Sequence, residues 1–340
     1  MTGSYSEEIY SLLARAGEFR ARTHGSRVSW LVCFQNRKWL LRPSHAGHCL
    51  WAYLKDGGVR NWMRKVGWLL GIRLIRLHSD GRLPWRWARI RDKEHKKISF
   101  FDPVGHRKLT YWADRWDFER ELSIQRHFAS HGVKTVPLQP CDQSELGAEQ
   151  PLVGPMFRHA DSLAPIDAQL LDYVLNTARL HRAVEYVARV AAMVGSHDGP
   201  EAEAFGLARA RLDRLVPPDT AQFPATIVHG DLSRQNIVRG ENGEAFLIDF
   251  DRAFEASAYY DFVFAGLFTN GFGLGKTREY AVAINERLMP DTPVARDEAL
   301  EYALALFVLD NIVYLNQPHV GTSSKALTRK VMFRALRALT

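Results

Sequence analysis

With 340 residues and 46% hydrophobic content, the chain is globular and long enough for one two-lobed unit or two small domains. Cys33, Cys49 and Cys141 are its 3 cysteines and contain no CxxC pair, which excludes a disulfide framework or cysteine zinc site and fits a reducing compartment. The net charge of +7 is uneven: residues 21–100 carry 18 Lys plus Arg against 4 Asp plus Glu, or +14, which leaves −7 for the rest.

That basic stretch points to an anionic partner, either anionic lipid or a phosphorylated glycolipid, and not to nucleic acid. A solvated basic surface without a partner is the alternative. The first twenty residues have early acidic groups and no apolar signal-peptide core, and no uninterrupted apolar run approaches bilayer length. The expectation is a cytoplasmic protein, peripheral at the inner face of the membrane if the basic stretch binds lipid.

In chain order, Val28 to Phe34 and Lys38 to Leu41 read as a hairpin about Gln35, Asn36 and Arg37. Val59 to Leu70 reads as a basic amphipathic helix, with Trp62, Val66 and Leu69 at helical spacing among Arg60, Arg64 and Lys65. A three-stranded meander follows, Ile72 to Leu77, Trp85 to Arg91 and Lys96 to Phe101, with a turn at Asp80 and Gly81. In the third strand Lys97 shares a face with Ser99 and Phe101, and Lys96 points the other way. Trp116 to Phe128 is a predicted helix, and Val133 to Leu138 and Pro151 to Phe157 are predicted strands.

From Asp161 the sequence turns helical, and Leu180 and His181 in ARLHRAV resemble the Leu-His pair on the central large-lobe helix of aminoglycoside phosphotransferases, which implies a helix with the histidine in a structural role. Gly273 to Thr277 ends like a P-loop, yet residue 270 is Asn where a first glycine is required, so the stretch is assigned to a loop. His45, His48 and Cys49 lack partners elsewhere and are set aside as a metal cluster. Helical periodicity resumes at Glu279, and Tyr302 to Leu315 is apolar nearly all round, as a buried helix is.

The chemistry is concentrated between Thr226 and Asp251. Thr226, Ile227 and Val228 form a β-branched run that feeds the loop His229-Gly230-Asp231-Leu232-Ser233-Arg234-Gln235-Asn236. Ile237 to Arg239 and Ala245 to Ile248 read as a hairpin that returns Asp249 beside that loop. Asp and Asn five residues apart, with a later Asp at a strand end, are the base and the two metal ligands of a phosphoryl-transfer site. A loose transition state needs its attacking hydroxyl aligned and its oxygens neutralised, and these three side chains supply both. Hard oxygen ligands suit Mg²⁺.

HGDLSRQN with LIDFD resembles the aminoglycoside phosphotransferase and choline kinase group, and LIDFDR is similar to the strand ending of bacterial lipopolysaccharide kinases that phosphorylate Kdo or heptose. Asp251 stands where protein kinases have the Gly of DFG, which argues against a protein substrate. The resemblance implies an α+β, protein-kinase-like two-lobed fold, with a small antiparallel β lobe and a larger, mostly helical lobe. The expected organisation is an N-terminal extension over 1–70, a small lobe over 71–157 and a catalytic large lobe over 158–340.

It further implies ATP and Mg²⁺, with Asp231, Asn236 and Asp249 as catalytic residues and Asn236 and Asp249 on the metal. Lys97 would bridge the α and β phosphates with Glu121 as its mate, and Lys108 is its rival. Met156, Phe157 and Arg158 would present hinge backbone to adenine, Asp261 would buttress the loop, and Arg234 would meet the γ-phosphate or an acidic substrate. The implied acceptor is a hydroxyl of a small molecule or of a cell-envelope sugar or glycolipid. The competing readings are a catalytically weak nucleotide-binding scaffold at the membrane, a protein kinase and a nucleotidyl transferase.

Overall fold

The computed structural model describes residues 27–34, 39–41, 73–79, 87–91, 97–102, 107–112, 114–141, 146–152, 164–195, 199–217, 221–240, 242–269, 272–291, 294–318, 320 and 322–339. The chain divides into two compact units, Met1–Leu122 with Pro137–Leu152, and Ser123–Val136 with Val153–Thr340. The predicted helix over Val59 to Leu70, the turn at Asp80 and Gly81, and the hinge residues Met156, Phe157 and Arg158 lie outside the described residues. No helix among the described residues is long and apolar enough to cross a membrane.

The first unit is built on an 8-stranded antiparallel sheet in the order β3-β1-β2-β4-β5-β6-β8-β7. Its strands are β1 (Arg27–Phe34), β2 (Trp39–Leu41), β3 (Arg73–Ser79), β4 (Trp87–Arg91), β5 (Lys97–Asp102), β6 (Arg107–Trp112), β7 (Gln139–Pro140) and β8 (Gly147–Pro151). The β1–β2 hairpin forms as expected, with Phe34 opposite Trp39. The predicted meander is corrected in its membership. β3 pairs with β1, β2 pairs with β4, and the true meander is β4-β5-β6. Among the strands not foreseen is β6, RKLTYW, whose backbone is satisfied by β5 on one side and β8 on the other.

Helix α1 (Arg115–Ser130) starts where Asp114 accepts the backbone N–H groups of Trp116 and Asp117 at 2.8 and 3.3 Å. It ends where Gly132 takes φ +87° and Val133 N–H reaches back to the Phe128 carbonyl at 3.1 Å, a left-handed stop that glycine adopts at little cost. Its first turns pack Phe118 and Leu122 with Trp112, Leu138 and Ala148 in the first unit. The strand expected over Val133 to Leu138 is reduced to a single bridge from Thr135 to Leu247, and the ladder nearby is carried by β7 and β8. Of the strand expected over Pro151 to Phe157, Pro151 is the last residue of β8, and residues 153–157 lie outside the described residues.

The second unit holds α2 (Ala164–Thr177), α3 (Ala183–Val194), α4 (Pro200–Leu215), α5 (Tyr260–Phe268), α6 (Gly273–Leu288), α7 (Ala299–Leu315) and α8 (Thr322–Leu339). Helix α7 is buried on every side, from Ala303 through Asn311, as its unbroken apolar sequence requires. Two small antiparallel sheets carry the loops: β13 (Phe254–Ser257), β10 (Gln222–Val228) and β9 (Arg179–Arg182) in one, β11 (Ile237–Arg239) and β12 (Ala245–Leu247) in the other. The α+β architecture, a β-rich unit beside a larger helical one in sequence, is the class expected.

Two local assignments are overturned. Leu180 and His181 lie on the exposed edge strand β9, paired with Pro224 and Phe223, because the open edge of β10 outweighs a short helical pattern. Gly273 to Thr277 opens helix α6 instead of forming a loop. The cause is packing: Thr277 is fully buried and donates to the carbonyl of Phe262 at 3.0 Å, against Gly266, which has no side chain to obstruct it.

Candidate active site

The β-branched end of β10 delivers the chain to His229, and the next eight residues are fixed almost entirely by backbone hydrogen bonds. Asp261, in the first turn of α5, accepts His229 N–H at 2.7 Å and Gly230 N–H at 3.0 Å. Its carboxyl is buried and its pKa is raised, with burial as the largest cause and those two backbone donors and His229 opposing it. The aspartate expected to buttress the loop therefore does so through two N–H groups that the turn would otherwise leave unpaired.

His229 is fully buried, and its ring edge meets Phe250 with centroids 5.1 Å apart. The backbone N–H of Asp231 faces Nδ1 at 3.3 Å, so Nδ1 accepts and Nε2–H donates to the carbonyl of Ile248 at 2.9 Å. This histidine pins the catalytic loop to the strand end that precedes Asp249. Phe250 in turn packs on Phe128 at 5.3 Å, and Phe128 stacks on Tyr173 at 4.4 Å.

Gly230 has φ +78°, and a Cβ there would run into the backbone carbonyl of Arg252. Only glycine satisfies both constraints. Beyond Leu232 a short 3₁₀ turn, Arg234–Asn236, brings Asn236 back under the loop. Its Nδ2 donates to the Asp231 carbonyl at 2.8 Å and its own carbonyl accepts Ile248 N–H at 2.9 Å. The side-chain amide is thereby oriented, with Oδ1 as its remaining acceptor.

The hairpin β11–β12 forms in the expected register, with Ile237 opposite Leu247. Asp249 follows at φ 71° and ψ 67°, a left-handed conformation that is uncommon for a residue with a side chain and recurs at functional sites. A second 3₁₀ turn, Phe250–Arg252, buries Asp251 and Arg252. Asp231 has its pKa raised, above all by burial. Arg252 and His229 oppose that rise, while the charges of Asp249 and Asp251 reinforce it. No donor among the described residues hydrogen-bonds the Asp231 carboxylate; the contacts of Asp231 are made by its backbone N–H and carbonyl.

A second charged pair belongs to the first unit. Lys97 Nζ donates to Glu121 Oε1 at 3.1 Å and to Oε2 at 2.8 Å, and Trp112 Nε1 donates to the same Oε2 at 3.1 Å. Lys97 and Ser99 are buried on one face of β5, the face assigned from alternation. Lys108 is engaged elsewhere, with Gln150 Oε1 at 3.1 Å. Trp112 was not foreseen at this site, and its place directly opposite Lys97 in the ladder is visible only once β6 is recognised.

The residues expected to take Mg²⁺ fit that ion by donor chemistry. Asn236 Oδ1 and the Asp249 carboxylate are hard oxygens, and no group of three or more His, Cys, Asp or Glu among the described residues is placed to hold a metal. Two protein oxygens with phosphate and water completing the shell are what Mg²⁺ commonly accepts.

The model of the phosphotransferase enzyme family, APH, matches residues 113–297, just over half of the chain and all of the catalytic loop. The chain belongs to this family. It is an enzyme, a phosphotransferase. Among solved structures it is similar to the choline kinase LicA from Streptococcus pneumoniae, at 10% identity over 74% of this chain and 93% of that one, with a TM-score of 0.44. It is also similar to the aminoglycoside phosphotransferase APH(4)-Ia, at 16% identity over 74% and 93% with a TM-score of 0.47. A choline/ethanolamine kinase family protein from Mesorhizobium loti shares 12% identity over 76% and 92%, with a TM-score of 0.46. No curated protein sequence matches the phosphotransferase.

Proposed function

We propose that the phosphotransferase moves the γ-phosphoryl group of ATP to a hydroxyl of a cell-envelope sugar or glycolipid. The observation that carries this reading is the Asp231 carboxylate, half-buried and unclaimed by any protein donor among the described residues, on a loop whose backbone is held at His229, Gly230 and Asp231. Such a group is poised to accept a hydrogen bond from an incoming hydroxyl. As the acceptor oxygen bonds to phosphorus, the bond to the β,γ-bridging oxygen breaks, Asp231 takes the hydroxyl proton and ADP leaves.

Asn236 and Asp249 would hold Mg²⁺, which when bound neutralises phosphate oxygens. Lys97, oriented by Glu121 and Trp112, donates to the α and β phosphates. The backbone of Met156, Phe157 and Arg158 meets the adenine edge, and Arg234 faces the γ-phosphate or an anionic acceptor. The envelope-sugar reading is supported by the LIDFDR sequence and by the +14 charge of residues 21–100, which exceeds what a nucleotide requires and suits an anionic lipid surface.

The test is incubation of the purified protein with Mg²⁺ and γ-labelled ATP against four acceptors: a Kdo- and heptose-bearing inner-core glycolipid, an aminoglycoside, choline and a generic protein. Label in the glycolipid is expected, and label in another acceptor alone would replace the reading. Transfer of an α-label would make the enzyme a nucleotidyl transferase. The membrane arm is sedimentation with anionic liposomes, expected at low salt, lost at high salt, and weakened when Arg60, Arg64 and Lys65 are neutralised together. No sedimentation at any ionic strength would favour a soluble acceptor.

A further inference from the structure

Helix α1 begins at Arg115, just after β6 ends at Trp112, so β6 is the strand that sets where the helix starts. The lysine of that strand, Lys108, turns to Gln150 on β8. The cation on Glu121 comes from one strand further over, Lys97 of β5, and the residue of β6 that reaches Glu121 is Trp112. Its Nε1–H donates to Oε2, the same oxygen that takes the shorter Lys97 bond. Trp112, Lys97 and Glu121 are all buried, and all three belong to the first unit.

Two features make the indole the fixed member of this trio. The first is its setting. The Trp112 backbone pairs with Lys97 in the ladder and donates its N–H to the Leu146 carbonyl at 2.9 Å, and its ring packs on Phe118 with centroids 5.1 Å apart, in the cluster that includes Leu122, Leu138 and Ala148. A buried indole N–H needs an acceptor, and Glu121 supplies it. The second is distance along the chain. Trp112 and Glu121 are 9 apart in sequence, against 24 for Lys97 and Glu121, so the indole bond closes the shorter loop. A neutral donor also suits the place, because it satisfies the carboxylate without repelling the ammonium, whose Nζ lies 5.9 Å from the centre of the ring.

We propose that Trp112 is a positioning residue for ATP: its indole N–H clasps the Glu121 carboxylate to β6, so that Glu121 is already set to orient Lys97 before nucleotide binds. The inference rests on the reading of Lys97 as the lysine of the α and β phosphates. It adds that helix α1 carries its own anchor to the preceding strand, and that this anchor does not pass through the lysine. Nucleotide then meets a pair that needs no rearrangement, and the clasp acts on ATP affinity more than on the transfer step.

The clasp is read without nucleotide from the Trp112 indole N–H resonance of the full chain, assigned by triple-resonance spectroscopy. Its proton should exchange with solvent about 10²-fold or more slowly than that of an exposed indole. It should move upfield in Glu121→Gln, where a neutral amide oxygen replaces the carboxylate. Rapid exchange, or a resonance that Glu121→Gln does not move, overturns the proposal.

The functional arm uses Trp112→Phe, which keeps a ring in the cluster and removes the N–H. Calorimetric binding of Mg²⁺-ATP should weaken about ten-fold, as for the loss of a hydrogen bond to a charged group, with KM for ATP raised and kcat lowered far less. Leu138→Ala, which thins the same cluster, should lower the urea midpoint and leave ATP affinity intact. Equal loss of affinity in both variants makes Trp112 a packing residue and overturns the proposal. Unchanged affinity in Trp112→Phe beside weakened binding in Lys97→Met overturns it while the reading of Lys97 stands, and unchanged affinity in both overturns the two together. If Trp112→Phe does not fold, the indole resonance and the ATP affinity of Glu121→Gln decide by the same outcomes.

Discussion

Lys97 and Glu121 neutralise one another at 2.8 Å with an indole N–H on the same carboxylate, whereas Asp231 lies among Asp249 and Asp251 and is opposed only from a distance by Arg252 and His229. Both clusters are buried or nearly so, yet the first pairs opposite charges and the second gathers like charges around Asp231. A pair of opposite charges keeps its geometry whether or not anything binds. Like charges gathered around a carboxylate raise the cost of its ionisation, and a nearby cation lowers that cost.

The largest effect should come from the like-charged cluster. Asp249→Ala removes the anionic ligand proposed for Mg²⁺, so calorimetric binding of Mg²⁺-ATP should weaken about 10²-fold or more. Undiminished binding would take Asp249 out of the metal site. The opposite-charge pair responds differently. Lys97→Met leaves Glu121 buried without its cation, with an expected stability loss of about 3–5 kcal/mol in denaturant titration and about ten-fold weaker ATP binding. Lys108→Met, at a residue engaged with Gln150, should change neither by much. The reverse ranking would shift the phosphate contact to Lys108.

A third buried carboxylate sharpens the contrast because its partners are neutral. Asp310, at the centre of α7, accepts from Tyr186 O–H, Ser257 O–H and Ser257 N–H, and burial pushes its pKa up to about 6 from 3.8. A raised folded pKa means its stabilising contribution is complete below pH 3.8 and is lost as pH rises through about 6. The shift corresponds to about 3 kcal/mol. Wild type should therefore exceed Asp310→Asn in stability by more at pH 4 than at pH 7, and a gap that does not vary with pH would show that Asp310 does not titrate in this range.

The catalytic loop was legible in the sequence because its information is local. Asp231, Asn236 and Asp249 lie on one loop and one hairpin, so spacing alone brings them together. The pairing of Lys97 with Glu121 was legible in part, since alternation put Lys97 and Ser99 on one face, but the competing Lys108 could be dismissed only after β6 placed it beside Gln150. RKLTYW hid as a strand because its basic start breaks the alternation. The family resemblance of the Leu-His pair assigns Leu180 and His181 to a helix, and pairing with β10 places them in a strand. Arg252, Thr328 and Asp310 were beyond reach for the opposite reason. Each draws its meaning from partners 50 or more residues away, such as the separation of 76 between Arg252 and Thr328, and a single sequence carries no sign of such contacts.

Asp231 is the group proposed to receive the acceptor's proton. The direct measurement is kcat together with Mg²⁺-ATP affinity for purified, folded Asp231→Asn. A fall in turnover of about 10²-fold or more with unchanged affinity for Mg²⁺-ATP is the predicted result. Turnover at the wild-type rate would contradict it and remove Asp231 from the mechanism.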